Sequence, residues 1–348
     1  MKIVAIVGAR PQFIKHFPFE KACEGKLELI TIHTGQHYDT NMSDVFFNQL
    51  GMKEPDYMLR IGSGNHGVQT AKMMIEIEKI LEDEKPDGMA VYGDTNSTLA
   101  GALVAVKLHI PLFHIEAGLR SYNKEMPEEV NRILTDHISS GLFVPSNIAI
   151  QNLKNEGIVK GVYNVGDIMK DLVDYVSKHC LIKEKKIEED YYYVTIHRPY
   201  NTDSIERLSY VLSSLNNLTL KVVMAIHPRT TNLMNTFGLE KDNYENIIFI
   251  EPQSYFENLS YLNHSAGLIT DSGGMQKEAY WLEKKCVTIR KETEWVETLI
   301  NKSNTLLFED LSELQNILKD ITTIWDSSLY GDGHCSNEIV NQILIDLK

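Results

Sequence analysis

Short apolar runs recur along the first half of the chain, separated by segments long enough for a helix. They fall at Lys2–Val7, Leu27–Thr34, Gly88–Tyr92, Ile110–Ile115, Gly141–Pro145 and Val162–Val165. Strands buried on both faces need continuous apolar sequence, so these runs predict a parallel sheet with helices on both sides. The gaps carry helical periodicity. Over Gln69–Glu84, for example, Met73, Met74, Ile77, Ile80 and Leu81 follow i, i+3, i+4 spacing. A second series runs through Tyr191–Ile196, Lys221–Ile226, Asn246–Ile250, Ala266–Ile269, Cys286–Ile289 and Thr305–Phe308, and ends in a helical segment at about Ser336–Leu347. Between the two series Ser177–Asp190 reads SKHCLIKEKKIEED, charged and short of apolar anchors, as a linker would be. The fold class expected is α/β, in two domains. Residues 1–176 form the first, with a C-terminal helix at about 335–348 packing back on it, and residues 177–334 form the second. Facing each other, two such domains would bring the carboxyl ends of both sheets around one cleft, where open α/β sheets bind ligands.

Length and composition agree with two real cores: 348 residues, of which 43% are hydrophobic and 24% charged, exclude a disordered chain, a collagen and a disulfide scaffold. The net charge of −14 argues against a nucleic-acid partner, whose phosphates demand the opposite sign. A small phosphorylated ligand remains compatible, because a few cations and helix N-termini can be focused in one cleft. The four cysteines form no C-x-x-C, which fits a reduced, cytoplasmic compartment. The apolar run at the N-terminus is too short for a signal-peptide core, and no stretch approaches the roughly 20 apolar residues of a membrane span, so no membrane association is expected.

Candidate chemistry clusters where the predicted strands end. After the first strand, Gly8-Ala9-Arg10-Pro11-Gln12-Phe13-Ile14-Lys15 matches neither the dinucleotide nor the Walker pattern. It does place Arg10 and Lys15 at a helix start, which suits a diphosphate, or a capped turn with two solvated cations. Gly93-Asp94-Thr95-Asn96-Ser97-Thr98 reads as a ligand-facing loop, or as a helix cap. His114-Ile115-Glu116-Ala117-Gly118-Leu119-Arg120 and Met126-Pro127-Glu128-Glu129-Val130-Asn131-Arg132 then crowd carboxylates and arginines beside one sheet, as acid/base work requires. In the second series His197-Arg198 and His227-Pro228-Arg229 stand at strand ends, where imidazoles can move protons near neutrality. Neither has metal-ligand spacing, so no metal is expected. Thr270-Asp271-Ser272-Gly273-Gly274 opens a helix with exposed backbone N–H groups, and Glu278 follows one turn on. Phosphate held at Ser272–Gly274 with sugar hydroxyls against carboxylates describes a nucleotide-sugar site, without separating transfer, hydrolysis and epimerisation.

Nine motifs in order, GARPQFIK, TGQHYD, GDTNSTLAGALVA, HIEAGLR, MPEEVNR, HR, HPR, TDSGGMQKEA and GDG, resemble the non-hydrolysing UDP-N-acetylglucosamine 2-epimerase family from Met1 to the C-terminal helix. The resemblance implies two Rossmann-like domains facing across a cleft, as in B-type glycosyltransferases, with the second binding UDP. It implies loss of the C2 hydrogen as UDP leaves C1, giving a 2-acetamidoglucal, then protonation from the other face and return of UDP. Nothing is oxidised, so no cofactor is expected. Carried over by motif, the catalytic residues are Asp94, Glu116, Glu128 and His197. Binding residues are Arg10, Ser272, Gly273, Gly274 and Glu278, supported by Lys15, Arg132 and His227. The expected partners are a UDP-sugar substrate and a second copy of the chain in a homodimer.

Several motifs depart from the common pattern. Gln12 stands where the family commonly has glutamate, Met126 where it has tryptophan, and Glu294-Trp295-Val296-Glu297 where it has ERPE. These variants resemble the branch acting on UDP-2,3-diacetamido-2,3-dideoxyglucuronate, and neutral Gln12 would suit a carboxylate at C6. UDP-GlcNAc is therefore the first expectation and the uronate the alternative. A glycosyltransferase of the same fold and a non-catalytic UDP-sugar sensor are the rival classes.

Overall fold

The computed structural model describes residues 1–36, 50–179, 181–320, 322–326 and 328–348. The end of TGQHYD, from His37, and all of NMSDVFF lie outside them, as does the Arg10 side chain. The chain divides into two compact units, Met1–Tyr175 with Ser328–Lys348, and Val176–Ser327.

The first unit is built on seven parallel strands: β1 (Lys2–Val7), β2 (Glu28–His33), β3 (Tyr57–Met58), β4 (Gly88–Tyr92), β5 (Leu112–Ile115), β6 (Gly141–Val144) and β7 (Val162–Asn164). Their order is β3-β2-β1-β4-β5-β6-β7, so the direction of winding reverses between β1 and β4. Each apolar run of the first series became a strand, two with their bounds unchanged and the others shorter by one or two residues. The two-residue β3 is too short to carry a periodic signal. The helix His66–Glu84 starts ahead of its apolar stripe and buries Met73, Ile77 and Leu81 against Val4, Ile6, Ile30 and Ile32. The C-terminal helix Cys335–Asp346 completes this unit, with Ile339, Val340 and Ile343 fully buried. Its start is held by Asp171, whose carboxylate accepts from Cys335 N (3.1 Å), Ser336 N (2.7 Å) and Ser336 Oγ (2.6 Å).

The second unit carries six parallel strands: β8 (Tyr191–Thr195), β9 (Lys221–Ala225), β10 (Ile247–Ile250), β11 (Gly267–Thr270), β12 (Cys286–Thr288) and β13 (Asn304–Leu306). The order β10-β9-β8-β11-β12-β13 reverses between β8 and β11. Leu208, Val211, Leu212 and Leu215 of the helix Ile205–Asn216 pack on one face of this sheet, and Tyr261 stacks on Tyr193 on the other. In open α/β sheets ligands bind beyond the carboxyl ends of the strands that flank such a reversal. In the first unit that rule selects the loops after β1 and β4. In the second it selects those after β8 and β11. All four had drawn attention in the sequence. Among the described residues no helix is long and apolar enough to cross a membrane, and no group of His, Cys, Asp and Glu is arranged to hold a metal ion.

Candidate active site

In the first unit, β4 ends in Gly93 and Asp94, and Thr95 caps the helix Asn96–Lys107 by accepting from Thr98 N. The neighbouring strand β5 ends in Glu116. Both turns are left-handed, with φ of 59° at Gly93 and 68° at Glu116, a conformation a non-glycine residue adopts only where its surroundings enforce it. The enforcing group is a buried network. His114 on β5 bonds the Gly93 carbonyl through Nε2 (2.7 Å) and Asp136 through Nδ1 (2.7 Å). Asp136 also accepts from Gly118 N (3.1 Å) and Arg120 Nη1 (2.7 Å). Arg120 in turn grips Glu156 with two bonds of 2.7 Å. Burial acts to raise the Asp136 carboxyl, but His114 and Arg120 hold it below its usual range.

The turns so fixed place two carboxylates side by side, each with its own cation. Glu116 is ion-paired to buried Lys15 from the helix Arg10–Cys23, and Asp94 to buried Arg132 from the helix Pro127–Ile138. A methyl group built on Gly93 would stand 3.2 Å from both Glu116 Oε2 and Lys15 Nζ, so a side chain there would crowd the pair as well as strain the turn. Asn131 fixes the Asp94 carbonyl (2.9 Å). Burial pushes the Asp94 carboxyl above its ordinary value and Glu116 adds to this, while Arg132 and Lys15 oppose it.

The adjacent glutamates of the MPEEVNR motif take different parts. Glu129 is fully buried and closes the preceding loop, accepting from Ser121 N (2.9 Å), Tyr122 N (2.8 Å) and Arg132 Nη1 (3.0 Å). Glu128 is exposed in the first turn, on the helical face of Asn131 and Arg132 at i+3 and i+4. Gln12 corrects the idea of a substrate-facing side chain. It is buried, its Oε1 accepts from Gly8 N (2.8 Å) and Ala9 N (3.2 Å), and its Nε2 donates to Tyr92 O (2.9 Å) and Thr98 Oγ1 (3.0 Å). It ties the loop after β1 to the end of β4 and has no group left for a sugar carboxylate.

In the second unit the organiser is Asp271, fully buried at the end of β11 and not singled out by the sequence. It accepts from the backbone of His197 (3.0 Å) and Arg198 (2.9 Å) and from Asn201 Nδ2 (3.1 Å), and meets His197 Nδ1 at 3.1 Å. With Nδ1 on the Asp271 side, the ring turns Nε2 away from that carboxylate. Burial lowers the His197 pKa, Asp271 draws it back, and Arg198 and His227 lower it further. His227 caps the helix Pro228–Phe237 by accepting from Arg229 N (3.2 Å), and its ring lies 6.3 Å from that of His197. Ser272 stands at the N-cap of the helix Gly273–Trp281 without a capping bond from its side chain. Nothing lies within 4 Å of a methyl built on Gly274, so that flank is open. Glu278 is buried one turn on.

A family model described as UDP-N-acetylglucosamine 2-epimerase matches residues 21–344. The chain belongs to that family. With it comes the isomerase class. The chain is 46% identical to a UDP-N-acetylglucosamine 2-epimerase homolog of Methanococcus maripaludis, over 98% of both chains. It is 43% identical to the UDP-2,3-diacetamido-2,3-dideoxy-D-glucuronate 2-epimerase of Pseudomonas aeruginosa, over 99% of both. Among solved structures, the Methanocaldococcus jannaschii UDP-GlcNAc 2-epimerase in complex with UDP-GlcNAc and UDP aligns with a TM-score of 0.90 at 40% identity, over 99% of this chain and 100% of that one. The α/β fold of parallel sheets and interleaved helices is that of these epimerases.

Proposed function

We propose that this epimerase-family chain interconverts UDP-GlcNAc and UDP-ManNAc by reversible, non-hydrolysing inversion at C2. The observation that carries the reading is the pair Asp94 and Glu116, two carboxylates on adjacent strand ends, each locked to a cation. No carbonyl acidifies the C2 hydrogen of a 2-acetamido sugar, so the proton must leave as the C1–O bond breaks. One carboxylate takes the C2 proton and UDP departs with the bonding pair. The resulting 2-acetamidoglucal is protonated on its other face and UDP returns to C1. Two carboxylates suit this, since each has to act as acid in one direction and base in the other. The raised Asp94 pKa favours a group able to give a proton as well as take one. Lys15 and Arg132 hold the pair in place, and exposed Glu128 assists from the helix start.

The diphosphate falls to Arg10, His197, His227 and the N–H groups of Ser272–Gly274, with Glu278 for the ribose. His197 would meet the departing phosphate as negative charge develops there, donating through Nε2 in its protonated form. Incubation with UDP-GlcNAc in D2O tests the whole reading. Deuterium at C2 with the second epimer appearing is expected, and recovery of UDP-GlcNAc without exchange would overturn it.

A second reading keeps the reaction and changes the sugar to the diacetamido uronate. It rests on the Pseudomonas aeruginosa relative, as identical at 43% as the Methanococcus maripaludis UDP-N-acetylglucosamine 2-epimerase at 43%. A side-by-side kcat/KM comparison decides: a preference above about tenfold for either sugar excludes the other, since a buried donor left facing the wrong group at C6 costs about 1–3 kcal/mol. The reading includes a cytoplasmic homodimer supplying polysaccharide precursors. Buried free thiols at Cys23 and Cys286 suit a reducing compartment, and sedimentation equilibrium tests the dimer.

A further inference from the structure

The start of the helix Gly273–Trp281 has a neighbour that no motif assigned. Arg290, two residues past the end of β12, is only 6% exposed, and its Nη2 lies 3.1 Å from Glu294 Oε2. Its Nη1 is buried and has no hydrogen-bond partner among the described residues. That nitrogen is directed at the helix start, standing 3.7 Å from where a methyl on Gly273 would be. A buried guanidinium N–H left unpaired is costly, and charged donors of this kind normally have an acceptor. Glu294 Oε1 covers the other flank of Gly273, 2.6 Å from the same built methyl position. The guanidinium thus has the Glu294 carboxylate beside one edge as an ion pair, without a hydrogen bond to Oε2, and its Nη1 on the side of the helix N-terminus. Arg198 Nε, on the neighbouring turn held by Asp271, is a second buried guanidinium donor without a partner.

We propose that Arg290 is a diphosphate-binding residue, donating through Nη1 to a phosphate oxygen held at the N-terminus of Gly273–Trp281, with Glu294 setting its orientation. A helix N-terminus favours an anion through its unpaired N–H groups and dipole, and a fixed guanidinium edge adds a directed, charge-assisted bond. The flank at Gly274, with no described atom within 4 Å of a built methyl, admits the phosphate, while a side chain at Gly273 would displace the Glu294 carboxylate. The assignment rests on the nucleotide-sugar reading above and deepens it.

The test is equilibrium binding of UDP and of uridine to the full-length wild type and to Arg290→Gln and Arg290→Lys. Arg290→Gln is expected to weaken UDP about 10- to 100-fold and to leave uridine within about twofold, because only UDP carries the acceptor. Arg290→Lys, which keeps the charge but not the planar fork, is expected to fall between. Uridine binding at wild-type strength certifies the fold of each variant. Loss of both ligands in Arg290→Gln, or UDP binding by it at wild-type strength, overturns the assignment. A wild type that binds neither ligand overturns the nucleotide-sugar reading instead.

Discussion

Asp94 and Glu116 differ from ordinary surface carboxylates in that each is anchored before any substrate arrives. Lys15 and Arg132 cost no reorganisation during the reaction; removing Glu116 takes the carboxylate from buried Lys15, while Arg132 would keep Glu129. Asp94→Asn and Glu116→Gln are each expected to lower kcat by about 10²–10⁴-fold, the usual scale for a positioned proton-transfer group. UDP affinity should be retained, since neither carboxylate is among the proposed diphosphate contacts. Turnover within a few-fold of wild type in either folded variant would remove that residue from the proton path. At this scale much of the site was legible. Asp94, Glu116 and His197 stand at strand ends, which apolar runs locate well. Orientation was not legible. Of Glu128 and Glu129, only the register of the helix decides which is buried, and the orientation of Gln12 depends on distant Tyr92 and Thr98 as much as on nearby Gly8 and Ala9.

Among elements, the helix Pro127–Ile138 inverts the usual amphipathic arrangement. Its inward face carries Glu129, Arg132 and Asp136, while Val130 and Leu134 are 41% and 45% exposed. An apolar-stripe reading would have turned it the wrong way, which is why Asp136, the hub of the network behind Gly93, escaped notice. Burying these charges is tolerable only because each finds partners. Asp136→Asn would leave Arg120 and His114 short of a carboxylate, and is expected to destabilise the first unit by about 3–5 kcal/mol. Urea unfolding would show it as a lowered midpoint with unchanged slope, and a midpoint equal to wild type would contradict the hub role. The C-terminal helix was legible from its periodicity, yet its anchor at Asp171 was not. Ending the chain before Ser328 would expose the apolar surface that covers Ile339, Val340 and Ile343 and strand the Asp171 carboxylate. Such a truncation is expected to yield insoluble protein or a first unit without cooperative unfolding. A soluble product unfolding at the wild-type midpoint would show that the helix is dispensable.

For the molecule as a whole, the imidazoles whose pKa burial lowers set the direction of its response to acid, His16 and His33 with His197 acting the same way. His16 sits in the core of the first unit between Tyr92 OH (2.8 Å) and Thr31 Oγ1 (3.0 Å), and burial pushes its pKa down to about 3. Glu20, 3.9 Å away, offers little counter-charge because burial raises its own pKa. His33 accepts from Gly35 N (2.9 Å) through Nδ1, and burial pushes it down to about 4. In the unfolded chain both titrate near 6.5, so between about pH 4 and 6.5 the unfolded state binds more protons than the folded one. Stability therefore rises with pH through that window, is fully present above about pH 7, and is lost as pH falls. The raised carboxyls of Asp94, Glu20 and Asp171 act the other way, since the folded state keeps their protons longer. Their window opens upward from unfolded values near 4, so they offset part of what the imidazoles contribute. With both contributing, the slope approaches about 2.7 kcal/mol per pH unit at its steepest. Urea midpoints of wild type are expected to be level from pH 7 to 8 and to drop clearly by pH 5.5. His16→Gln, which can still bond Tyr92 and Thr31 but cannot take a proton, should reduce that drop by about half. A wild-type midpoint unchanged between pH 7.5 and 5.5, or a His16→Gln drop as large as that of wild type, would show that the imidazoles do not govern the acid response.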